Sequence, residues 1–183
     1  MEATLKNNYF KYFVGLFVCL LVRLLPLRAP NVEPILATMM PFSKKFGIFA
    51  SISFAVLSIF LYDLLTNTIG VQTFFTLGAY GALGLFSAIY FKKREANRWN
   101  FVRFAVFGTL FFDAVTGLTV GPIFFNQSFT STLVGQIPFT ILHLLGNITF
   151  AIVLSPAIYK FLIKKRKRKE EPLLIKNFNP KII

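Results

Sequence analysis

The sequence predicts an all-α membrane protein, a bundle of about six transmembrane helices with a short or broken second helix and both termini on the cytoplasmic side. Three observations predict it. Of 183 residues, 55% are apolar or aromatic and 15% are charged, with a mean hydropathy of +0.64. That balance excludes a disordered chain and argues against an ordinary soluble domain. The charges also leave uninterrupted apolar blocks at 12–22, 46–62, 64–91, 104–112 and 114–159, several of them as long as the roughly 20 residues that cross a bilayer. The third observation is where the positive charge falls. A net charge of +13 taken alone would fit a nucleic-acid partner, but its distribution is that of membrane topology.

Glycine, proline and charge as punctuation place helices near 8–26, 34–46, 47–66, 71–91, 101–118 and 134–162. The first follows Lys6 and Lys11 as a secretory signal would. It runs into Arg23, Pro26 and Arg28 rather than a small-residue cleavage site, so an uncleaved helix is expected. The second opens at Pro34, where proline is tolerated, and contains Pro41, which makes it short and either broken or partly re-entrant. The third ends at Asp63. The fourth carries Gly78, Gly81, Ala82, Gly84 and Ala88, the small residues of a close packing face, and Gly15 with Cys19 on the first read the same way. Asp113 interrupts the fifth, and the sixth opens with GQIPFTILHLLGN. Residues 1–163 thus form the membrane domain and 164–183 a basic cytoplasmic tail, KKRKRKEE at its head, that lies against anionic headgroups. No internal repeat and no second soluble domain is apparent.

Short cytoplasmic loops retain Lys and Arg. With the N-terminus inside, all of the 20 basic residues except Arg23 and Arg28 fall on the cytoplasmic side: Lys6, Lys11, Lys44, Lys45, the cluster from Lys92 to Arg103, and the tail from Lys160. Segments 63–70 and 113–132 contain none. Trp99 then sits at the inner interface as an aromatic anchor.

An ionisable or strongly polar group inside a membrane usually faces a cavity or a partner. Counting about 1.5 Å per residue from the inner helix ends, Arg23, Asp63, Tyr80, Asp113, His143 and Asn147 fall in one layer of the outer half. From the outer loops Arg28, Asn31, Glu33, Asn67, Gln72, Asn126, Gln127 and Gln136 join them. Gln136, His143 and Asn147 share one face of the last helix, where Pro138 frees a carbonyl and Gly135 and Gly146 admit close approach. These polar groups either bind a ligand or hold helices together through interhelical hydrogen bonds. An Asp there must be paired with Arg23 or Arg28, be protonated, or meet a ligand cation or hydroxyl. Tyr80, Phe74, Phe75, Phe124 and Phe125 offer faces to a flat ring, while Arg23 and Arg28 suit a carboxylate or phosphate. The single cysteine, Cys19, provides neither an internal disulfide nor a cysteine cluster, and one His with two Asp is a thin ligand set, so no metal site is expected.

Six short helices, the stiff Pro-Asn-x-Glu-Pro loop at 30–34, Asp63 ending the third helix and a last helix beginning GQIPFT and continuing HLLGN together resemble the substrate-binding S component of energy-coupling factor (ECF) transporters. The resemblance covers residues 8–162. It implies a prokaryotic multi-pass plasma-membrane protein that captures a vitamin or related micronutrient from outside. Its partners would be a membrane coupling protein and two ATPase subunits, with no cofactor in this chain and no enzymatic activity of its own. The ligand set would be Arg23, Asn31, Glu33, Asp63, Tyr80, Asp113, Gln136, His143 and Asn147, closed over by loops 27–34 and 119–132. Docking on the coupling protein would fall to Gly15 with Cys19, in place of the Ala-x-x-x-Ala pattern common in the family. The sequence has no glycine-lysine phosphate loop, so energy would come from those partners. Two other readings stay open: an intramembrane enzyme using Asp and His for acid–base chemistry, and a structural accessory subunit.

The charge pattern makes a direct prediction. In a Cys19→Ser background, a cysteine introduced at Lys45 or Lys92 should react with a membrane-impermeant thiol reagent only after the cell is opened, and one at Asn126 should react in intact cells. The reverse pattern would invert the topology.

Overall fold

The structure, a computed structural model, describes residues 2–26 and 33–164, with side chains described from Lys6 onward. Six helices follow one another: α1 (Glu2–Arg23), α2 (Ile35–Phe46), α3 (Ile48–Leu65), α4 (Val71–Lys93), α5 (Arg98–Phe124) and α6 (Phe129–Ile163). Four of them, α3 to α6, are long and apolar enough to cross a membrane. The chain is accordingly a helical protein of the multi-pass membrane type. Helix α1 carries Lys6, Lys11 and Arg23 along its 22 residues. Helix α2, at 12 residues, is about 18 Å long, well short of a bilayer.

Local chemistry sets most of the boundaries. Gly47 alone separates α2 from α3, at φ 84° and ψ −165°, a conformation essentially closed to residues with a Cβ. Helix α3 ends in a left-handed Asn67, φ 56°. There the Asn67 and Thr68 N–H groups donate to the Leu64 and Asp63 carbonyls at 3.3 and 2.9 Å, a Schellman closure with asparagine in the glycine position. At the other termini, Asn97 Oδ1 accepts from the Asn100 N–H at 2.9 Å and Ser128 Oγ from the Ser131 N–H at 3.2 Å, capping α5 and α6.

Helix α2 is the centre of the bundle. Every residue from Ile35 to Ser43 is buried, as expected of a helix apolar around its whole circumference. Phe42 packs against the rings of Tyr12, Phe46 and Phe54 at centroid distances of 5.6, 5.6 and 4.8 Å. Pro41 does not break the helix. Having no N–H, it leaves the Ala37 carbonyl without its helical donor, and Ser155 Oγ of α6 donates to that carbonyl at 2.8 Å. Ser43 and Ser87 join α2 to α4 through their hydroxyls at 2.8 Å.

Helix α2 is therefore short, as expected, and unbroken, and the bounds of three other helices shift. Helix α1 starts earlier than expected and ends at Arg23. Helix α5 runs on through Gly117 and Pro122 to Phe124, and α6 begins at Phe129, ahead of Gly135 and Pro138. Proline and glycine are weak helix stops where neighbouring helices pack along both sides. Gly15 and Cys19, a packing face by residue type and a docking pair by the family resemblance, both turn inward: a Cβ on Gly15 would lie 2.3 Å from Phe42 Cζ of α2, and Cys19 is buried. The tail from 165 to 183 lies outside the described residues.

Two lysines tie the inner helix ends together. Lys11 Nζ donates to the Leu162 and Lys164 carbonyls at 2.9 and 2.8 Å, and Lys44 Nζ donates to those of Phe91 and Arg94, both at 2.9 Å. Each ammonium meets the negative end of a helix dipole where carbonyls lack intrahelical partners. The start of α1 and the ends of α2, α4 and α6 therefore share one end of the bundle. Arg23, Glu33 and Asp63 lie at the other.

Small residues set the helix separations, and one contrast tests this. A Cβ on Gly84 would stand 2.8 Å from Ile52 Cα and 3.0 Å from Ser51 O, both backbone atoms of α3, whereas one on Gly78 meets nothing within 4 Å. Gly84→Ala should cost about 1–3 kcal/mol in a thermal or denaturant unfolding series, and Gly78→Ala should leave stability unchanged or slightly raised. Equal effects would mean that α3 and α4 are not in close backbone contact.

Candidate functional site

At the end opposite the lysine ties, the bundle encloses a cavity of about 220 Å³, lined by Arg23, Glu33, Asp63, Thr68, Gln72, Thr76, Tyr80 and His143 with Ile59, Phe112 and Phe139. Five helices and two connections supply these residues. The helices hold the side chains they carry in fixed register.

Arg23, the last residue of α1, points into the bundle and is only 5% exposed. Its Nη1 donates to the Ser58 carbonyl at 2.6 Å, and Nη2 to Glu33 Oε1 at 3.2 Å. The Tyr62 ring lies flat beneath the guanidinium, 3.9 Å from Cζ. A buried cation needs a counter-ion, hydrogen-bond acceptors or an aromatic face, and Arg23 has all three. Its Nε alone is buried without a partner.

Asp63 sits in the last turn of α3. Thr73, at the start of α4, accepts the Gly70 N–H at 3.1 Å and donates its hydroxyl to Asp63 Oδ2 at 2.7 Å. One threonine thereby caps α4 and orients the carboxylate. Oδ1 has no hydrogen-bond partner among the described residues.

His143 and Asp113 form a buried polar contact, Nδ1 to Oδ1 at 2.7 Å with both residues at most 3% exposed. With Asp113 ionised, Nδ1 carries the proton and donates, leaving Nε2 of His143 for the cavity. Phe112 and Phe139 stand edge-on to the imidazole at centroid distances of 5.6 and 5.8 Å. Tyr80 packs at 4.8 Å against the other side of Phe112. Asp113 does not line this cavity. It lies behind His143 and contributes to a second, largely apolar groove of about 300 Å³ between α5 and α6, with Leu110, Leu118, Leu133, Ile137 and Gln136. Its Oδ2 is buried without a hydrogen-bond partner.

Arg23, Glu33, Asp63, Tyr80 and His143 are thus brought together around the cavity, and three of the expected residues are not among its lining. Asp113 reaches it only through His143. Gln136 faces the α5–α6 groove, its Nε2 3.4 Å from Thr140 Oγ1 and its amide over Gly117. Asn147 lies one turn deeper, where Nδ2 donates to Thr109 Oγ1 at 2.8 Å and that hydroxyl donates to the Ala105 carbonyl at 2.8 Å. Its role is to pin α6 to α5. Asn31 and Arg28 lie outside the described residues. Sequence reasoning missed Tyr62, Thr68, Thr76, Phe112 and Phe139 as neighbours of the site. Thr68, Gln72, Thr76 and Tyr80 recur every four residues, a polar stripe that marks one helix face, and Phe139 precedes His143 by four. Both signals were legible. Among the described residues no group of His, Cys, Asp or Glu is arranged to hold a metal ion.

No family model, curated protein or solved structure matches the chain.

Because the Asp113–His143 contact is buried and charge-assisted, breaking either partner leaves the other uncompensated. In a double-mutant cycle with Asp113→Asn and His143→Gln, each single change should destabilise the fold. The pair should show a coupling of about 0.5–3 kcal/mol, read by thermal unfolding in detergent; additive effects would deny the contact.

Proposed function

We propose that this chain is the substrate-capturing subunit of a membrane importer of the ECF type, which takes a small molecule from outside into the cavity between α1, α3, α4, α5 and α6. One observation carries the reading. Five polar side chains from five separate segments, Arg23, Glu33, Asp63, Tyr80 and His143, converge on a single cavity at the end of the bundle opposite Lys11 and Lys44. A membrane protein gains nothing from holding such groups together unless they meet one another or a ligand, and in this set Asp63 Oδ1 and His143 Nε2 are left without protein partners among the described residues. By the positive-inside rule the lysine-rich end would be cytoplasmic, with the cavity in the outer half and both termini on the cytoplasmic side; a prokaryotic plasma membrane follows from the ECF reading alone. Helix α1 then crosses as well, its two lysines and Arg23 snorkelling or paired, and α2 fills the inner half of the bundle without crossing.

The chain would deliver its ligand through a membrane coupling protein and two ATPase subunits. With Gly15 and Cys19 engaged on α2, that docking would use the exposed aromatic face of α1, formed by Phe10, Phe13 and Phe17, or else follow a shift of α1. Binding and delivery differ only if ligand and partner each prefer a different state of the bundle.

A second reading has one specific observation in its favour. A histidine oriented by a buried carboxylate beside a cavity is the arrangement of a general base. His143 has no hydroxyl or thiol within hydrogen-bonding distance among the described residues, so an enzyme of this kind would act on the ligand's own proton or on water.

Native mass spectrometry of the protein extracted gently from its own host is the deciding experiment. The importer reading expects a retained metabolite together with co-purifying ATPases and a membrane subunit. Thr76→Trp, which fills the cavity from α4, should abolish metabolite retention without loss of the folded state. Retention that survives Thr76→Trp would place the ligand elsewhere, and conversion of the metabolite by the isolated chain would favour the enzyme.

A further inference from the structure

A second site lies on the lipid-facing side of the bundle and stands apart from the importer reading. The groove between α5 and α6, about 300 Å³, is walled by aliphatic side chains, and Leu110, Leu133, Ile137 and Ile141 along it are 43 to 55% exposed. In a bilayer those walls meet hydrocarbon. Among them stand three polar side chains, Asp113, Gln136 and Thr140. Ligand sites combine these features, a concave and mostly apolar wall with a few polar groups that orient the guest.

The three polar groups do not satisfy one another. Asp113 gives Oδ1 to His143, and its Oδ2 is buried without a hydrogen-bond partner. Gln136 and Thr140 share one bond at 3.4 Å, long for such a contact. Thr109 and Thr116, by comparison, each donate to the carbonyl four residues back at 2.8 Å, whereas the Thr140 hydroxyl has no acceptor among the described residues. An unmet carboxyl oxygen beside hydrocarbon is costly, and an acyl chain has nothing to donate. Phospholipid headgroups stay at the interface, while Asp113 lies near the middle of α5, roughly 16 Å from its Phe124 end.

We infer that this groove binds an uncharged aliphatic alcohol entering from the lipid, its chain along Leu118 and Ile137 and its hydroxyl among Asp113, Gln136 and Thr140. A hydroxyl both donates and accepts, so it satisfies Asp113 Oδ2 whether that group is a carboxylate or a carboxylic acid. It also matches the Gln136 amide and the Thr140 hydroxyl, which do both. A charged ligand would have to carry its charge through hydrocarbon to reach the same place. Oδ2 is covered, and Gln136, whose one side-chain bond is the long one to Thr140, swings aside to admit the hydroxyl.

The test uses an octanol with a diazirine at its third carbon and the methyl ether of the same molecule, which keeps the chain and the oxygen but loses the O–H. Each is photolysed with the full chain in phospholipid nanodiscs, and adducts are mapped by tandem mass spectrometry. Adducts on the exposed Tyr9 of α1 correct for partition into lipid. The alcohol should label groove residues of α5 and α6 about fivefold more than the ether does, and excess unlabelled octanol should suppress that labelling. Thr140→Val, close in shape, should cut it about threefold. Ala114→Trp, which fills the groove from an exposed position on α5, should abolish it. Equal labelling by alcohol and ether, labelling that octanol does not suppress, or labelling unchanged by either variant overturns the inference. If Ala114→Trp does not fold, the ratio of alcohol to ether and Thr140→Val decide. Disulfide formation between chains carrying Cys19→Ser and Ile137→Cys, with no groove adducts, overturns it in favour of a second copy of the chain covering the groove.

Discussion

The bundle is built around a helix too short to cross a membrane. Helix α2 runs from the lysine-rich end for about 18 Å and stops, and its apolar circumference must be covered on all sides. The other helices meet that demand by close approach. Gly15 of α1 lies under Phe42, and Gly108 of α5 lies within 3.2 Å, at its missing Cβ, of the Leu36 methyl groups. Ser155 of α6 supplies the hydrogen bond that Pro41 removes. The outer cavity begins where α2 ends. Glu33, two residues before its first turn, lines the cavity beneath Arg23. A full-length second helix would fill that space with side chains.

Polar groups in such a bundle divide into those that hold helices and those that face space. Asn147 with Thr109, Ser43 with Ser87, and Ser155 with the Ala37 carbonyl are complete pairs, each joining two helices. Interhelical bonds of this kind contribute on the order of 1 kcal/mol each in a membrane, and none of them touches the cavity. Arg23, Asp63 and His143 are different. Each is held on one side by protein, through Ser58 and Glu33, Thr73, or Asp113, and presents its other side to the cavity. Preorganisation of this sort removes the entropy that a flexible side chain would lose on meeting a ligand.

The Asp113–His143 contact stands between two spaces of opposite character, the polar cavity on the His143 side and the aliphatic α5–α6 groove on the Asp113 side. A carboxylate facing such a groove is costly unless paired, so the imidazole serves two ends at once: it hydrogen-bonds Asp113 and forms part of the cavity wall. The same histidine therefore links packing of α5 on α6 to the chemistry of the site.

By itself the sequence determined the class of the protein and the number of its helices. Apolar blocks, their lengths and the placement of Lys and Arg are properties of single segments, set by the cost of burying charge in lipid, and they read directly along the chain. Helices α2, α3 and α4 fall within two residues of the expected bounds at either end. What the sequence could not decide was direction. His143 and Asn147 lie four apart on one face, yet one reaches the cavity and the other is spent on Thr109, because the space between helices closes over a single turn. Gly15 and Cys19 suit a packing face or a docking surface equally by residue type, and the position of Phe42 shows that Gly15 faces inward. Pro41 looks like a break and Pro122 lies past the expected end of α5, yet both helices run through them, since partners on neighbouring helices and continuous packing hold the backbone. Periodicity fixes which residues share a face; which neighbour that face meets is decided only when six helices compete for the same interior.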